Sequence, residues 1–499
     1  MKLTLNLQKT AVAVSTLLLT FGGFSCQNNL LEPTSQIQFS DQVVFSNPAR
    51  IALQVNGLYS FVKVGGFLGG RVQVYGDIRA NDFINRATNN VTGTAVWNHT
   101  LTETSVNDVI SMWGAGYAAI NQINVFLAGL DANAGSLPSN FAATSLNYQG
   151  EARFLRALCY YTMLQYYARP YTAGAGDGSL PGLPLRLRAE MGPDANGLAR
   201  STVRQVYDQI LLDLKFAEDN LPLTYGTTAF NNITRAHRNT AIALKVRVYL
   251  TMGRYADVIT EANKLVPTTA PFVAPNGVAF ALNSSIAGVF APPQETAESI
   301  LSFPFTAQDT PGTQNQLAYY YLPNSLGGNN GEYSLNTAAG GVLSEAGFGA
   351  ADARRTSLTA LSGTERFLTK YPTGTPYTDK APVMRYSEVL LSLAEARVRT
   401  TNSIDTQALA LLNAVRGRSN PNGLYTATGL GSVSAMLDAL LLERRIEFLG
   451  EGLRNTDIMR LNATIPGKST IGPIDPTNPL YVWPIPSTEL LTNNLVIRN

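Results

Sequence analysis

The stretch "STVRQVYDQILLDLKFA", residues 201–217, constrains the fold more than any other. Val203, Val206, Tyr207, Ile210, Leu211, Leu214 and Ala217 recur at spacings of three and four. They form one face of a 3.6-residue helix, a face that must be buried against another element. Thr202 and Gln205 have the spacing of a capping box at its start. Pro222 ends it, because the residue before a proline is pushed out of the helical region.

A second stretch, "EARFLRALCYYTMLQYYA" at 151–168, carries two apolar stripes. Leu155, Leu158, Cys159, Thr162, Met163 and Tyr166 make one, and Phe154, Ala157, Tyr161 and Leu164 the other. A helix apolar on two faces packs between neighbours. Further helices are predicted over 48–62, 105–130, 238–252, 255–265, 383–399, 406–418 and 433–449. Several come as pairs. "ALKVRVYLTMGRYADVITEANKL" is helix, turn, helix, and Gly253 suits the left-handed turn position. The Gly-x-Tyr-Ala spacing is that of a tetratricopeptide-type unit, with no strict repeat period along the chain. Between the helices, 65–104 and 267–378 are rich in Gly, Asn, Ser, Thr and aromatics and read as irregular. Within the first, "GGFLGG" at 65–70 reads as a flexible loop. The expected fold is therefore dominated by α-helical pairs, a stiff scaffold presenting long loops.

Charge is sparse, 14% of 499 residues, and nearly balanced at +2, which gives no electrostatic case for nucleic acid. A surface made polar by amides and hydroxyls suits neutral polar ligands such as sugars. Against this background "LLERRIEFLGEGLRNTDIMRL", 441–461, concentrates Glu443, Glu447, Glu451, Asp457 and four arginines. Arg444 stands three residues from Glu447 and Arg454 three from Asp457, spacings that favour ion pairs. Gly450 and Gly452 punctuate a helix end and a sharp turn. Neighbouring arginines lower carboxylate pKa values, the wrong direction for a glycosidic general acid. The block reads as a structural clamp, not a catalytic pair. No catalytic residue is assigned, and His99 and His237 have no metal-ligand spacing, so no metal or cofactor is expected.

At the amino terminus, Lys2 and Lys9 precede an apolar run at 11–24, too short to span a membrane. Ser25 and then Cys26 follow. This resembles a bacterial lipoprotein signal over 1–25, with Cys26 as the acylated residue and 26–46 as a tether. Cys159, inside an apolar helix, reads as a small buried hydrophobe.

Blocks along the whole chain, in order, resemble the SusD/RagB family of outer-membrane nutrient-uptake lipoproteins. They are "CQNNLLEP", "YGDIRANDF", "MWGAGYAAINQINVFL", "EARFLRALCYYTMLQYYARPY" with "GLPLRL", "RSTVRQVYDQILLDL", "RNTAIALKVRVYLTMGRYADV", "APVMRYSEVLLSLAEARV", "ALALLNAVRGRS", the charged block, and "YVWPIPSTELLTNN". The resemblance implies one SusD-like domain over 47–499. Its tetratricopeptide-like scaffold would cover about 47–265 and 380–465, with a loop-rich insertion over about 267–378. It implies a protein that binds oligosaccharide at the cell surface, held to the outer membrane by lipid. It would act as the capture or lid subunit of a TonB-dependent, SusC-like transporter. A lipid-anchored glycoside hydrolase and a binder of another nutrient, such as a peptide, are the alternatives. In the family, ligand contacts come from the first irregular region and the middle insertion. Trp97 is the one tryptophan on a predicted loop, beside Asn98, with Arg79, Asn81 and Asp82 upstream. In the insertion, "LAYYYLP" offers Tyr319 and Tyr320, with Tyr321 beside them, and "GEYS" offers Tyr333. An aromatic ring against a sugar face, rimmed by amides and charges, is the chemistry these residue types provide.

Overall fold

A computed structural model describes residues 44–45, 47–87, 89–192, 196–328 and 330–499. The leader, Cys26 and the tether as far as residue 43 lie outside the described residues.

The predicted helical face at 201–217 forms helix Val203–Asn220, with both halves of the Thr202–Gln205 capping box made. It packs against the long helix Ala142–Tyr167, which is buried on nearly every side from Gly150 onward, as its two apolar stripes require. In chain order the principal helices are α1 (Pro48–Val62), α2 (Arg71–Ile78), α3 (Ser111–Ala132), α4 (Ala142–Tyr167), α5 (Val203–Asn220) and α6 (Arg238–Thr251). They continue with α7 (Tyr255–Ala262), α8 (Tyr386–Thr401), α9 (Thr406–Ser419), α10 (Val433–Glu447) and α11 (Leu453–Arg460). Sequential neighbours pack as pairs: α3 with α4, α4 with α5, α6 with α7, α8 with α9. Helix α7 also packs on α8, so the helical array continues across the insertion that separates them in sequence. Gly253 turns α6 into α7 at φ +72°, the left-handed conformation that glycine adopts without steric cost. Cys159 is free and fully buried.

The insertion is tied down by short antiparallel ribbons. Strand β1 (Phe83–Asn85) belongs to the first irregular region and pairs with β3 (Tyr333–Leu335) of the insertion, Phe83 opposite Leu335. Strand β2 (Ser299–Phe303) pairs with β6 (Ala381–Arg385), and β4 (Thr359–Ser362) with β5 (Glu365–Leu368). The helix expected from 383 begins only at Tyr386. Val383 to Arg385 are claimed by the β2 ladder, which supplies their backbone partners first.

Helix α2 is a correction to the reading of 65–104 as irregular. It starts directly after "GGFLGG" and is buried along almost its whole length, so it shows no polar face for periodicity to detect. The glycine run is a packed turn. Phe67 and Leu68 are buried, and a Cβ on Gly69 or Gly70 would collide with the Lys63 or Asn315 carbonyl oxygen.

The charged block closes the frame, with partners other than those the local spacing predicts. Glu447 accepts from Arg385 at 2.8 Å and Arg418 at 2.5 Å, with Arg354 at 3.2 Å. Glu443 pairs with Arg416 at 2.9 Å and with Arg354. Glu451 binds Lys370 at 2.6 Å and Arg385 at 2.8 Å. Arg444 goes to Asp457, not Glu447, at 2.9 Å, and Arg454 points toward Asp82 at 3.9 Å. Arg354 and Lys370 belong to the insertion, Arg385 to β6, and Arg416 and Arg418 to α9. The carboxylates at the end of α10 thus gather cations from several segments distant in sequence. Burial alone would raise the pKa of Glu447, but Arg418, Arg385 and Arg354 outweigh it and hold the group well below its ordinary value.

Candidate functional site

The turn after α2 and the insertion meet through β1 and β3, and this junction gathers most of the residues expected to touch ligand. Asp82 accepts from the Val342 N–H at 2.9 Å and from Arg445 Nη2 at 2.5 Å. Asn81 donates to the Gly340 carbonyl at 2.7 Å, and Asn336 donates back to the Asn81 carbonyl at 2.8 Å. Arg79 is 2% exposed and donates to Asn455 Oδ1 at 2.7 Å and the Tyr481 carbonyl at 2.8 Å. The Tyr320 hydroxyl donates to the Gln314 carbonyl and the Tyr333 hydroxyl to the Thr92 carbonyl, with the two rings stacked 6.3 Å apart.

Trp97 lies on a one-turn helix, Thr94–Asn98, where a loop was expected. Its indole N–H donates to the Phe83 carbonyl at 3.0 Å, and the Lys468 ammonium sits 5.2 Å from its ring centroid. Arg79, Asp82, Trp97, Tyr320 and Tyr333 therefore commit their polar groups to the frame in this conformation, as does the Asn81 amide nitrogen, whereas the Asn81 Oδ1 is buried without a hydrogen-bond partner. Each of these ligand-contact candidates is buried, where a polar group is normally satisfied from within the protein. One of the expected residues stands closer to solvent. Asn98 is half-buried. Tyr319 is buried like the others, but its hydroxyl accepts from the exposed Asn330 at 2.7 Å, and Asn330 also donates to Glu332 at 2.8 Å.

Beside this junction the segment after Trp97 and the carboxyl-terminal segment enclose a cleft of ≈ 300 Å³. Val96, Leu101, Thr102, Leu480, Val482 and Arg498 line it, and Arg79 and Trp483 stand in its wall. Its mix of apolar wall and polar rim fits a small hydroxylated ligand. Glu103 at the rim is ion-paired to Arg498 at 2.6 Å. His99 also borders the cleft. Burial, with Lys468 and Arg79 nearby, pushes its imidazole pKa down to about 2, so it is neutral at ordinary pH. Among the described residues, Asp77 is the carboxylate most displaced upward, to about 7, by burial within α2. It accepts from the Gly452 N–H, a structural contact, and is not among the residues lining this cleft.

Sequence reasoning missed Lys468 and the tail. Lys468 donates to the Ile78, Arg79 and Ala80 carbonyls at the end of α2 and so fixes the turn that carries Asn81 and Asp82. The signal was a lone lysine in "IPGKST", which nothing local distinguishes from a solvated one.

A family model described as "Starch-binding associating with outer membrane" matches residues 31–250, and a model of the SusD family matches 362–499. Two SusD-like proteins of Formosa agariphila, P38 and P2, are 22% and 23% identical, over 85% and 99% of this chain and 86% and 99% of theirs. A SusD superfamily crystal structure from Bacteroides fragilis superposes with a TM-score of 0.80 at 30% identity, covering 91% of this chain and 99% of its own. Surface glycan-binding protein A from Bacteroides uniformis shares the fold, with a TM-score of 0.70 at 21% identity over 91% of this chain and 99% of that one.

Proposed function

The chain belongs to the SusD family, and on that premise we propose that it is a cell-surface glycan-binding lipoprotein. It captures an oligosaccharide and hands it to a SusC-like, TonB-dependent outer-membrane transporter. The anchor is acylated Cys26, and the protein binds and releases its ligand without breaking a bond in it. The observation that carries this reading is the likeness to the Bacteroides fragilis structure along nearly its whole length. The shared fold of a named surface glycan-binding protein supports it. No helix among the described residues is long and apolar enough to cross a membrane, so on this reading attachment falls to the lipid.

The contact surface we assign is the rim of the β1–β3 junction together with the adjoining cleft. Asn98 and Tyr319 touch the sugar. Trp97, Arg79, Asn81, Asp82, Tyr320 and Tyr333 hold the two loop systems in register beneath it. The test is calorimetry of the full chain against a panel of oligosaccharides, with Asn98→Ala and Tyr319→Ala alongside. Saturable binding to one glycan, weakened about tenfold by either change, is expected for loss of a good hydrogen bond or stacking contact. Binding of peptides but no saccharide would overturn the assignment. Affinity capture from the native membrane is expected to recover a large β-barrel, and mass spectrometry a diacyl or triacyl group on Cys26.

A further inference from the structure

A second cleft, of ≈ 500 Å³, opens among α3, α4, α5 and the segment before residue 190, and shares no lining residue with the first. Its guanidinium groups outnumber the carboxylates that serve them. Arg156 is fully engaged: it grips the buried Asp213 through two bonds at 2.7 and 2.8 Å and gives its third nitrogen to Asn124 at 2.8 Å. Arg153 reaches the same Asp213 oxygen only at 3.7 Å, and its Nε is buried with no hydrogen-bond partner. The Arg153 guanidinium lies 4.2 Å from the Phe216 ring centroid, which orients it, while its side chain stays one third exposed (33%). Arg188, from the segment before residue 190, also lines the cleft, is exposed and makes no ion pair among the described residues. The carboxylate that lines the cleft is Asp131, exposed at the end of α3. Gln149 and Gln209 add amides, and Leu127 and Leu187 an apolar surface.

We propose that this cleft is a saccharide subsite that takes an anionic substituent, a carboxylate or a sulfate ester, between Arg153 and Arg188. Guanidinium forks match either oxyanion in geometry and charge. The two leucines receive the C–H face of the ring and the two glutamines its hydroxyls. A cleft of this volume suits one or two sugar rings. The ligand class named here rests on the glycan-binding reading above and narrows it to acidic glycans.

The test uses the full chain labelled with ¹⁵N-arginine and follows the Arg153 Nε–H resonance by NMR. Glucuronate, glucose 6-sulfate, glucose and sodium chloride of matched ionic strength are titrated separately. A saturable shift with glucuronate, glucose 6-sulfate or both, absent with glucose and with salt, is the expected result, and the acid that saturates identifies the substituent. Arg188→Gln, an exposed change that leaves folding intact, should weaken that binding about tenfold. No saturable shift with either acid, or the same shift with sodium chloride, overturns the proposal. Neutral oligosaccharides that still bind in calorimetry would then leave the glycan-binding reading standing, whereas failure of every saccharide would remove both.

Discussion

Glu447 is fully buried, and three arginines surround it. Removing it leaves their charges in the interior with too few partners. Glu447→Ala should therefore cost roughly 3–5 kcal/mol, read as a lower urea midpoint. A variant of unchanged stability that had lost only ligand binding would contradict the clamp. Acid should act on the same groups. For Glu451, burial raises the pKa but Arg385 and Lys370 bring it below its ordinary value. For Asp457, Arg444 and Arg460 overcome burial and hold it at about 2. Folded pKa values below the unfolded ones mean stabilisation that is present above about pH 4 and lost as pH falls through the folded values. Asp77 has the opposite sign. Burial raises it to about 7, so its contribution is present below about pH 4 and lost as pH rises toward 7. The stability of Asp77→Asn relative to the parent should therefore improve from pH 4 to pH 8, measured by urea unfolding at each pH. A difference independent of pH would show that the Asp77 pKa is not raised in the fold.

Among the elements, the approach of α2 to the turn before α11 sets the geometry beneath the site. A Cβ on Gly76 would collide with the Gly452 carbonyl oxygen, and Gly452 itself stands at φ +81°. Gly76→Ala should destabilise by about 1–3 kcal/mol through overpacking. Gly57→Ala in α1, where an added Cβ meets nothing within 4 Å, should stabilise by roughly 0.5–1 kcal/mol. Thermal or urea unfolding of the two variants side by side checks both signs. These elements also show what the sequence makes legible. Helix α5 with its capping box, the α6–α7 pair turned at Gly253, and the turn glycines Gly450 and Gly452, both at positive φ, follow from local chemistry. Helix α2 does not, because burial on every side erases the polar face that periodicity needs. The partners of Glu447 do not either, since Arg354 and Arg385 lie 93 and 62 residues away and only tertiary folding brings them in. The same holds for the site: residue type pointed to the 79–98 segment and the insertion, while which side chains face outward is set by β1–β3 pairing and by Lys468.

At the scale of the whole molecule, one continuous core runs through the helical pairs and into the insertion. Buried ion pairs then fasten the insertion to α9 through Glu298 and Arg418 and to α10 through Arg354 and Glu443. Such a frame holds two irregular segments at fixed separation and leaves their rims free to meet a ligand, which is what reversible capture requires. Calorimetry of the purified chain with an oligosaccharide panel, followed by assay of the same mixtures for new reducing ends, tests this most directly. Saturable binding to at least one oligosaccharide with no new reducing ends is the predicted result; release of reducing ends that stops when one carboxylate is replaced would contradict it.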